Sequence, residues 1–160
     1  MSDHPPAAAL PLGDTRCDAF ETQLLPIARL LVASLNLSDP TLWHRATREA
    51  VDIWGDAIGY PVAHALGRVV ITVHECRASK LGFGLPEGRG QVTDDERHFL
   101  RMLHHMRRDN ANEARSAVED LTQGLMAPDV IRAGLSFAHR FACGLERRRR
   151  TAPPVLSVVT

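Results

Sequence analysis

Residues Thr93 to Leu125 carry the clearest structural signal of the chain, and they read TDDERHFLRMLHHMRRDNANEARSAVEDLTQGL. Thr93 followed three residues later by Glu96 is a capping box, in which each side chain accepts a hydrogen bond from the other residue's amide. Apolar residues recur at helical spacing on both sides of Asp109 and Asn110, where the periodicity is interrupted. The second apolar stripe is rich in alanine, which lets a neighbouring helix approach closely. This stretch therefore predicts a helical hairpin.

The composition is that of a folded globular protein. The 160 residues are 44% hydrophobic and 24% charged, and a chain of this length can bury the core of one domain without disulfides or a metal ion. The formal net charge is zero, so no field of the whole molecule attracts nucleic acid or an anionic membrane. No apolar run approaches the roughly 20 residues that a membrane span needs. We therefore expect no nucleic-acid partner and no membrane span.

Two features of the composition indicate where the protein works. Cys17, Cys76 and Cys143 are odd in number and far apart, which favours reduced thiols over a disulfide framework. Arginine supplies almost all of the positive charge, with Lys80 as the one lysine, and alanine is abundant. That bias is typical of a GC-rich genome. We expect a cytoplasmic protein of bacterial origin.

Two helices are predicted before residue 61. An apolar stripe runs from Phe20 to Leu35 at helical spacing, and Pro26 within it must either kink the helix or occupy its first turn. Ser38-Asp39-Pro40 reads as a helix cap followed by proline at the first helical position. Gly59-Tyr60-Pro61 is interpreted as the end of that second helix and the start of a third.

Two further segments complete the prediction. The β-branched run from Val69 to Val73 would suit a buried strand, but the helical period persists over residues 61–80, so we predict a helix. Ala127-Pro128-Asp129 opens a last helix, which is expected to end in the arginines at 147–150. Between the third helix and the hairpin, residues 81–92 form a Gly-rich connector that lacks the G-K-[ST] of a phosphate-binding loop.

These segments predict an all-α fold, a single-domain bundle of five to six helices with a Gly-rich central loop. We assign residues 1–16 to a disordered N-terminal arm, residues 17–150 to the helical domain and residues 151–160 to an apolar C-terminal tail.

The histidines and cysteines do not form a recognised catalytic or metal-binding motif. His74-Glu75 lacks the second histidine of the H-E-x-x-H zinc motif, and no Glu-x-x-His of the di-iron type occurs. Cys76 lies two residues after His74, a spacing that turns the two side chains away from each other on a helix. Cys143 lies four residues after His139 and could face it, although buried thiols are usually inert. We therefore expect a non-enzymatic protein without a cofactor.

One resemblance to a known family offers an alternative. The motifs Trp43-His44-Arg45-Ala46 and Glu96-Arg97-His98-Phe99-Leu100, followed by Arg108-Asp109 and Asp120-Leu121, are similar in order to those of FCD-type effector domains. Those helical domains bind metal or small carboxylates and are fused to winged-helix modules in GntR-type regulators. The resemblance implies a divalent transition metal, with His44, His98 and Asp120 as ligands. This sequence has Pro40 at the family's first aspartate position and Asp120 in place of its final histidine.

The interaction interpretation depends on aromatic and cationic residues. Trp43 and Trp54 lie on one predicted amphipathic helix and are candidate anchors for a partner, although the same positions also suit the core. The cluster Arg147, Arg148, Arg149 and Arg150 is a second candidate partner-binding element, and its alternative is a solvated helix end. We predict a regulatory or protein-interaction protein that binds a protein partner or itself as a homodimer through helical surfaces.

Overall fold

The computed structural model describes residues 10–11, 16–88, 91–125 and 127–143. Within these residues the chain is mostly helical, with two very short strands, so the all-α prediction is confirmed. The elements in chain order are β1 Leu10–Pro11, α1 Ala19–Leu37, α2 Pro40–Trp54, α3 Asp56–Cys76, β2 Gln91–Val92, α4 Asp94–Met106, α5 Ala111–Leu121 and α6 Pro128–Arg140. None of the described helices combines the length and the apolar character needed to cross a bilayer.

The predicted hairpin is present as α4 and α5. The Thr93 hydroxyl accepts a hydrogen bond from the Glu96 amide at 3.2 Å, and the Thr93 amide donates to the Glu96 carboxylate at 2.8 Å. The break between the helices includes Asp109, whose φ of 55° lies in the left-handed region that Asp tolerates better than most residues. The capping box and the break are therefore confirmed at the predicted positions.

The first two helices follow the sequence in part. Asp39 caps α2 by accepting a hydrogen bond from the Thr41 amide at 2.9 Å, and Pro40 takes the first helical position, as predicted. Pro26 lies inside α1, seven residues beyond its start at Ala19, so the first-turn alternative for this proline is wrong.

The predicted boundary at Gly59-Tyr60-Pro61 is also wrong. α2 ends at Trp54, Gly55 turns the chain with a φ of 77°, and α3 then continues through both Gly59 and Pro61. Gly59 serves packing, because a Cβ atom there would lie 2.5 Å from the Cα of Val51 on α2. The missing side chain lets the two helices approach at their corner.

The third helix includes the β-branched run, so the helix prediction for residues 69–73 is confirmed. Val69, Val70 and Val73 are fully buried, and α3 packs against α1, α2 and α6. Burial on several sides explains why the run is apolar almost throughout and resembles a buried strand in the sequence.

The last helix is shorter than predicted, since α6 ends at Arg140 and not in the arginine cluster. Beyond Arg140, backbone groups form hydrogen bonds with a residue from another part of the chain. Arg107 Nε donates to the Phe141 carbonyl at 2.6 Å, and the Cys143 amide donates to the Arg107 carbonyl at 3.3 Å. The predicted C-terminal tail lies outside the described residues.

A short antiparallel strand pair joins the N-terminal segment to the connector. Leu10 pairs with Val92 and Pro11 with Gln91. Leu10 and Pro11 belong to the predicted disordered arm. Most of that arm lies outside the described residues, so its disorder stays a prediction.

Candidate functional site

A buried ion pair fastens the connector to the helices. Arg29 on α1 donates to both carboxylate oxygens of Glu96 on α4, at 2.6 and 3.1 Å, and both residues are at most 4% exposed. The remaining Arg29 donors bond the carbonyls of Gly88 and Gln91, and Glu96 also accepts from the Gly84 amide at 2.8 Å. The two charges are therefore fully engaged in holding α1 and α4 to Gly84, Gly88 and Gln91.

A second charged group, here called the Glu21 cluster, surrounds the buried Glu21 and consists of Asp18, Glu21, His104, Arg107 and Arg108. Glu21 is completely buried at the start of α1, and its Oε1 accepts from Arg107 Nη1 and Arg108 Nη1, both at 2.6 Å. Its Oε2 lies 2.9 Å from His104 Nδ1. Asp18 accepts from the same two arginines at 2.8 and 3.1 Å. The cluster neutralises two carboxylates with two guanidinium groups.

The electrostatics of the Glu21 cluster favour ionised acids. Burial would raise the pKa of Glu21, but hydrogen bonds from Arg108 and His104 outweigh it and leave the pKa lowered. Burial would also raise the pKa of Asp18, but hydrogen bonds from the Glu21 amide and Arg107 outweigh it, so this pKa is lowered as well. Burial and the neighbouring His104 lower the pKa of His105. The cluster thus stabilises the junction of α1 and α4 in its charged form.

An apolar groove lies between the end of α4, α5 and α6, and it is here called the α5–α6 groove. It encloses a cavity of about 280 Å³. It is lined by Met106, Asp109, Asn110, Ala111, Ala114, Arg115, Val118, Ile131 and Leu135. Leu135 is 50% exposed at its edge, although leucine gains free energy from burial. The groove is a surface at which apolar side chains remain in contact with water.

A larger cavity of about 530 Å³ continues the α5–α6 groove toward the end of α6. It shares Met106, Asp109 and Leu135 with the groove and extends to His139 and Cys143. The Cys143 thiol is exposed and lies 4.0 Å from Asp18. The two cavities together form one depression along α6.

Opposite charges flank the groove. Asp109 and Arg115 both line it, both are exposed, and neither has an ion-pair partner among the described residues. This contrasts with the buried clusters, in which each charge is engaged within the chain. The groove therefore offers an apolar floor with one free cation and one free anion from the described part of the chain.

The predicted metal ligands are only partly brought together. His98 Nδ1 on α4 lies 3.8 Å from Asp120 Oδ2 on α5, and Arg101 Nη1 lies 3.4 Å from the same oxygen. His44 is exposed on α2. Across the described ranges, no group of three or more His, Cys, Asp or Glu side chains is arranged to hold a metal ion. His98 and Asp120 therefore supply a pair of donors, with an arginine beside them.

The predicted partner-binding tryptophans are half-buried against the core. The Trp43 indole packs over Gly67 on α3, where a Cβ atom would lie 2.6 Å from the ring. Trp54 contacts Phe20 with ring centroids 5.3 Å apart. Arg147, Arg148, Arg149 and Arg150 lie outside the described residues. Both indoles thus contribute to packing between helices.

Sequence reasoning missed the groove residues Ile131 and Leu135. Helical spacing predicts an inner face of α6 formed by Val130, Gly134, Phe137, Ala138, Phe141 and Leu145. The first four are buried, Phe141 is partly buried, and Leu145 lies outside the described residues. Ile131 and Leu135 lie one position further along, with the i, i+4 spacing of a second, outward stripe. Ile131 and Leu135 are apolar residues that the inner face of the helix does not use. Such an extra apolar pair on a helix is the pattern in the sequence that indicates an apolar surface groove.

Comparison with known proteins does not assign a family: no family model, no curated protein sequence and no solved structure matches this chain.

Proposed function

We propose that the protein is a non-enzymatic regulatory or interaction protein, which binds a protein partner or a second copy through a helical surface. The observation that carries the proposal is the α5–α6 groove, whose apolar residues and free charges have the character of a protein contact surface. The apolar lining and the half-exposed Leu135 at its edge suit contact with a side chain of another protein.

The buried charges support the same proposal. Arg29, Glu96 and the Glu21 cluster are all bonded within the chain, so their evident role is to join helices. The proposed setting is a bacterial cytoplasm, as the composition and the cysteine pattern suggest.

The test compares the same substitution at two exposed leucines, one at the groove and one away from it. Leu135→Glu places a charge at the edge of the groove, whereas Leu85→Glu makes the same change at a 76% exposed residue of the connector outside the groove lining. Full-length wild type and both variants are used to capture proteins from cells, and each captured protein is purified and its affinity for the three chains is measured by calorimetry.

We expect wild type and Leu85→Glu to bind the partner, or themselves, equally well. Leu135→Glu should bind at least tenfold more weakly, because the glutamate would have to be buried in an apolar interface. Equal binding by all three chains in the purified system would reject the groove as the binding surface. Absence of binding by wild type to any purified candidate and to itself would reject the interaction function.

A second candidate function, an FCD-like domain that senses metal or a small molecule, is supported by one observation. The buried Nδ1 of His98 has no hydrogen-bond partner in the described part of the chain and faces Asp120 at 3.8 Å. Zn²⁺ or Ni²⁺ bound at the His98–Asp120 pair should raise the melting temperature of wild type, and His98→Ala should abolish the rise. An unchanged melting temperature of wild type with either metal would reject this candidate.

A further inference from the structure

We infer that the occupant of the α5–α6 groove is a second copy of this chain, in a twofold dimer in which Leu135 of each copy enters the groove of the other. This inference rests on the proposed function and adds the partner's identity. In a twofold interface the same surface serves both copies, so a surface must carry both the inserting group and its receptor. The groove meets this requirement, since it combines an exposed leucine with an apolar recess beside it.

The floor of the recess can accept a side chain closely. Ala111 and Ala114 on α5 contribute no bulk beyond Cβ, and Val118 continues the same face of that helix. Small residues at a helix surface let a facing helix approach. The cavity of about 280 Å³ is large enough for a leucine side chain.

Charge complementarity selects a second copy as the partner. Asp109 and Arg115 are exposed at the groove without ion-pair partners among the described residues. A twofold axis through the groove pairs Asp109 of one copy with Arg115 of the other, and repeats that pair on the opposite side. The whole chain has a formal net charge of zero, so two copies do not repel each other at long range.

The first experiment measures self-association of the full-length chain by sedimentation equilibrium over a wide range of protein concentration. Wild type and the control Leu85→Glu should form dimers with the same dissociation constant, and Leu135→Glu should raise that constant at least tenfold. A wild type that remains a monomer throughout would overturn the inference. A dimer that Leu135→Glu leaves unchanged would overturn it as well.

The second experiment separates twofold pairing from any other mode of contact. Arg115→Asp alone and Asp109→Arg alone each place like charges opposite one another, so each variant should dimerise at least tenfold more weakly than wild type. Mixed together, the two variants should form a heterodimer. One of its ion pairs is the native Asp109–Arg115 pair, and the other joins the two substituted residues with their charges exchanged. Failure of the mixture to associate would contradict the twofold arrangement.

Folding controls keep both experiments decisive. Asp109 has a left-handed φ, so Asp109→Arg also strains the turn and its circular dichroism and melting temperature are measured first. Arg115→Asp and Leu135→Glu change exposed helical positions and carry the test if Asp109→Arg does not fold. The two proposals can fail separately. If wild type is a monomer but binds a purified foreign partner, and Leu135→Glu weakens that binding, self-association is refuted and the interaction function is retained.

Discussion

Arg29 and Glu96, 67 residues apart in the chain, form a buried two-pronged ion pair with its shorter bond at 2.6 Å. Glu96 is at the same time the N3 residue of the α4 capping box, so one carboxylate caps a helix and neutralises a buried arginine. The pair joins α1 to α4 and to the Gly-rich connector that directly precedes α4 in the sequence.

Removal of one partner of this pair should be strongly destabilising. Glu96→Ala leaves the Arg29 guanidinium buried without its counter-ion and removes the α4 cap, so we expect a loss of about 3 to 5 kcal/mol in the free energy of unfolding. Urea denaturation followed by circular dichroism measures it. Arg45→Ala, which breaks exposed pairs with Glu49 and Glu87, serves as the control and should leave the unfolding midpoint almost unchanged. Similar losses in both variants would show that burial of the pair is unimportant.

Stability should fall on acidification because of the Glu21 cluster. The pKa values of Asp18 and Glu21 are lowered in the folded chain from ordinary values of 3.8 and 4.5, so the unfolded chain binds protons first as the pH falls. The contribution of the two carboxylates is complete above those ordinary values and disappears as the pH falls through the folded ones. Urea unfolding between neutral pH and pH about 3 should therefore show decreasing stability in the acid range.

Glu21→Gln is the variant that assigns this effect to the cluster. It should be less stable than wild type at neutral pH, and its stability should change less steeply in the acid range. The pKa of Asp39 is lowered by hydrogen bonds from Thr41, so Asp39 contributes to the dependence of stability on pH in both wild type and the variant. A slope equal to that of wild type would indicate that Glu21 does not contribute to it.

Two helical glycines should respond differently to alanine. At Gly67 a new Cβ would meet the rigid Trp43 indole at 2.6 Å, whereas at Gly134 it would meet the Sδ and Cε atoms of the flexible Met106. Gly67→Ala should therefore cost about 1 to 3 kcal/mol and shift the tryptophan emission, because the indole must move. Gly134→Ala should cost less, since a methionine can adopt another rotamer. The opposite order in thermal unfolding would contradict the packing at Trp43.

The sequence predicted those parts of the fold that depend on local chemistry. The capping box of Thr93 and Glu96, the cap and proline at Asp39 and Pro40, and the helix through residues 69–73 all rest on hydrogen bonds or periodicity within a few turns. The Gly59–Pro61 boundary failed because glycine was interpreted as a helix end. Its actual cause is tertiary, since the backbone of Val51 occupies the place of a side chain.

The long-range features could not be predicted from spacing alone. Their position at the end of α4 suggests only that Arg107 and Arg108 suit the helix dipole. In the structure they also neutralise Asp18 and Glu21, which lie more than 80 residues earlier. The groove likewise depends on how α5 and α6 meet. Only the outward pair Ile131 and Leu135 indicates it in the sequence, and the identity of a partner leaves no local pattern at all.

Hydrogen–deuterium exchange at low and high protein concentration tests the central claim, that another chain covers the α5–α6 groove. The account predicts slower exchange at high concentration in Ala111–Leu121 and Pro128–Arg140, with Pro40–Trp54 unchanged, and no such slowing in Leu135→Glu. Exchange that is independent of concentration in α5 and α6, or slowed in α2 instead, would contradict it.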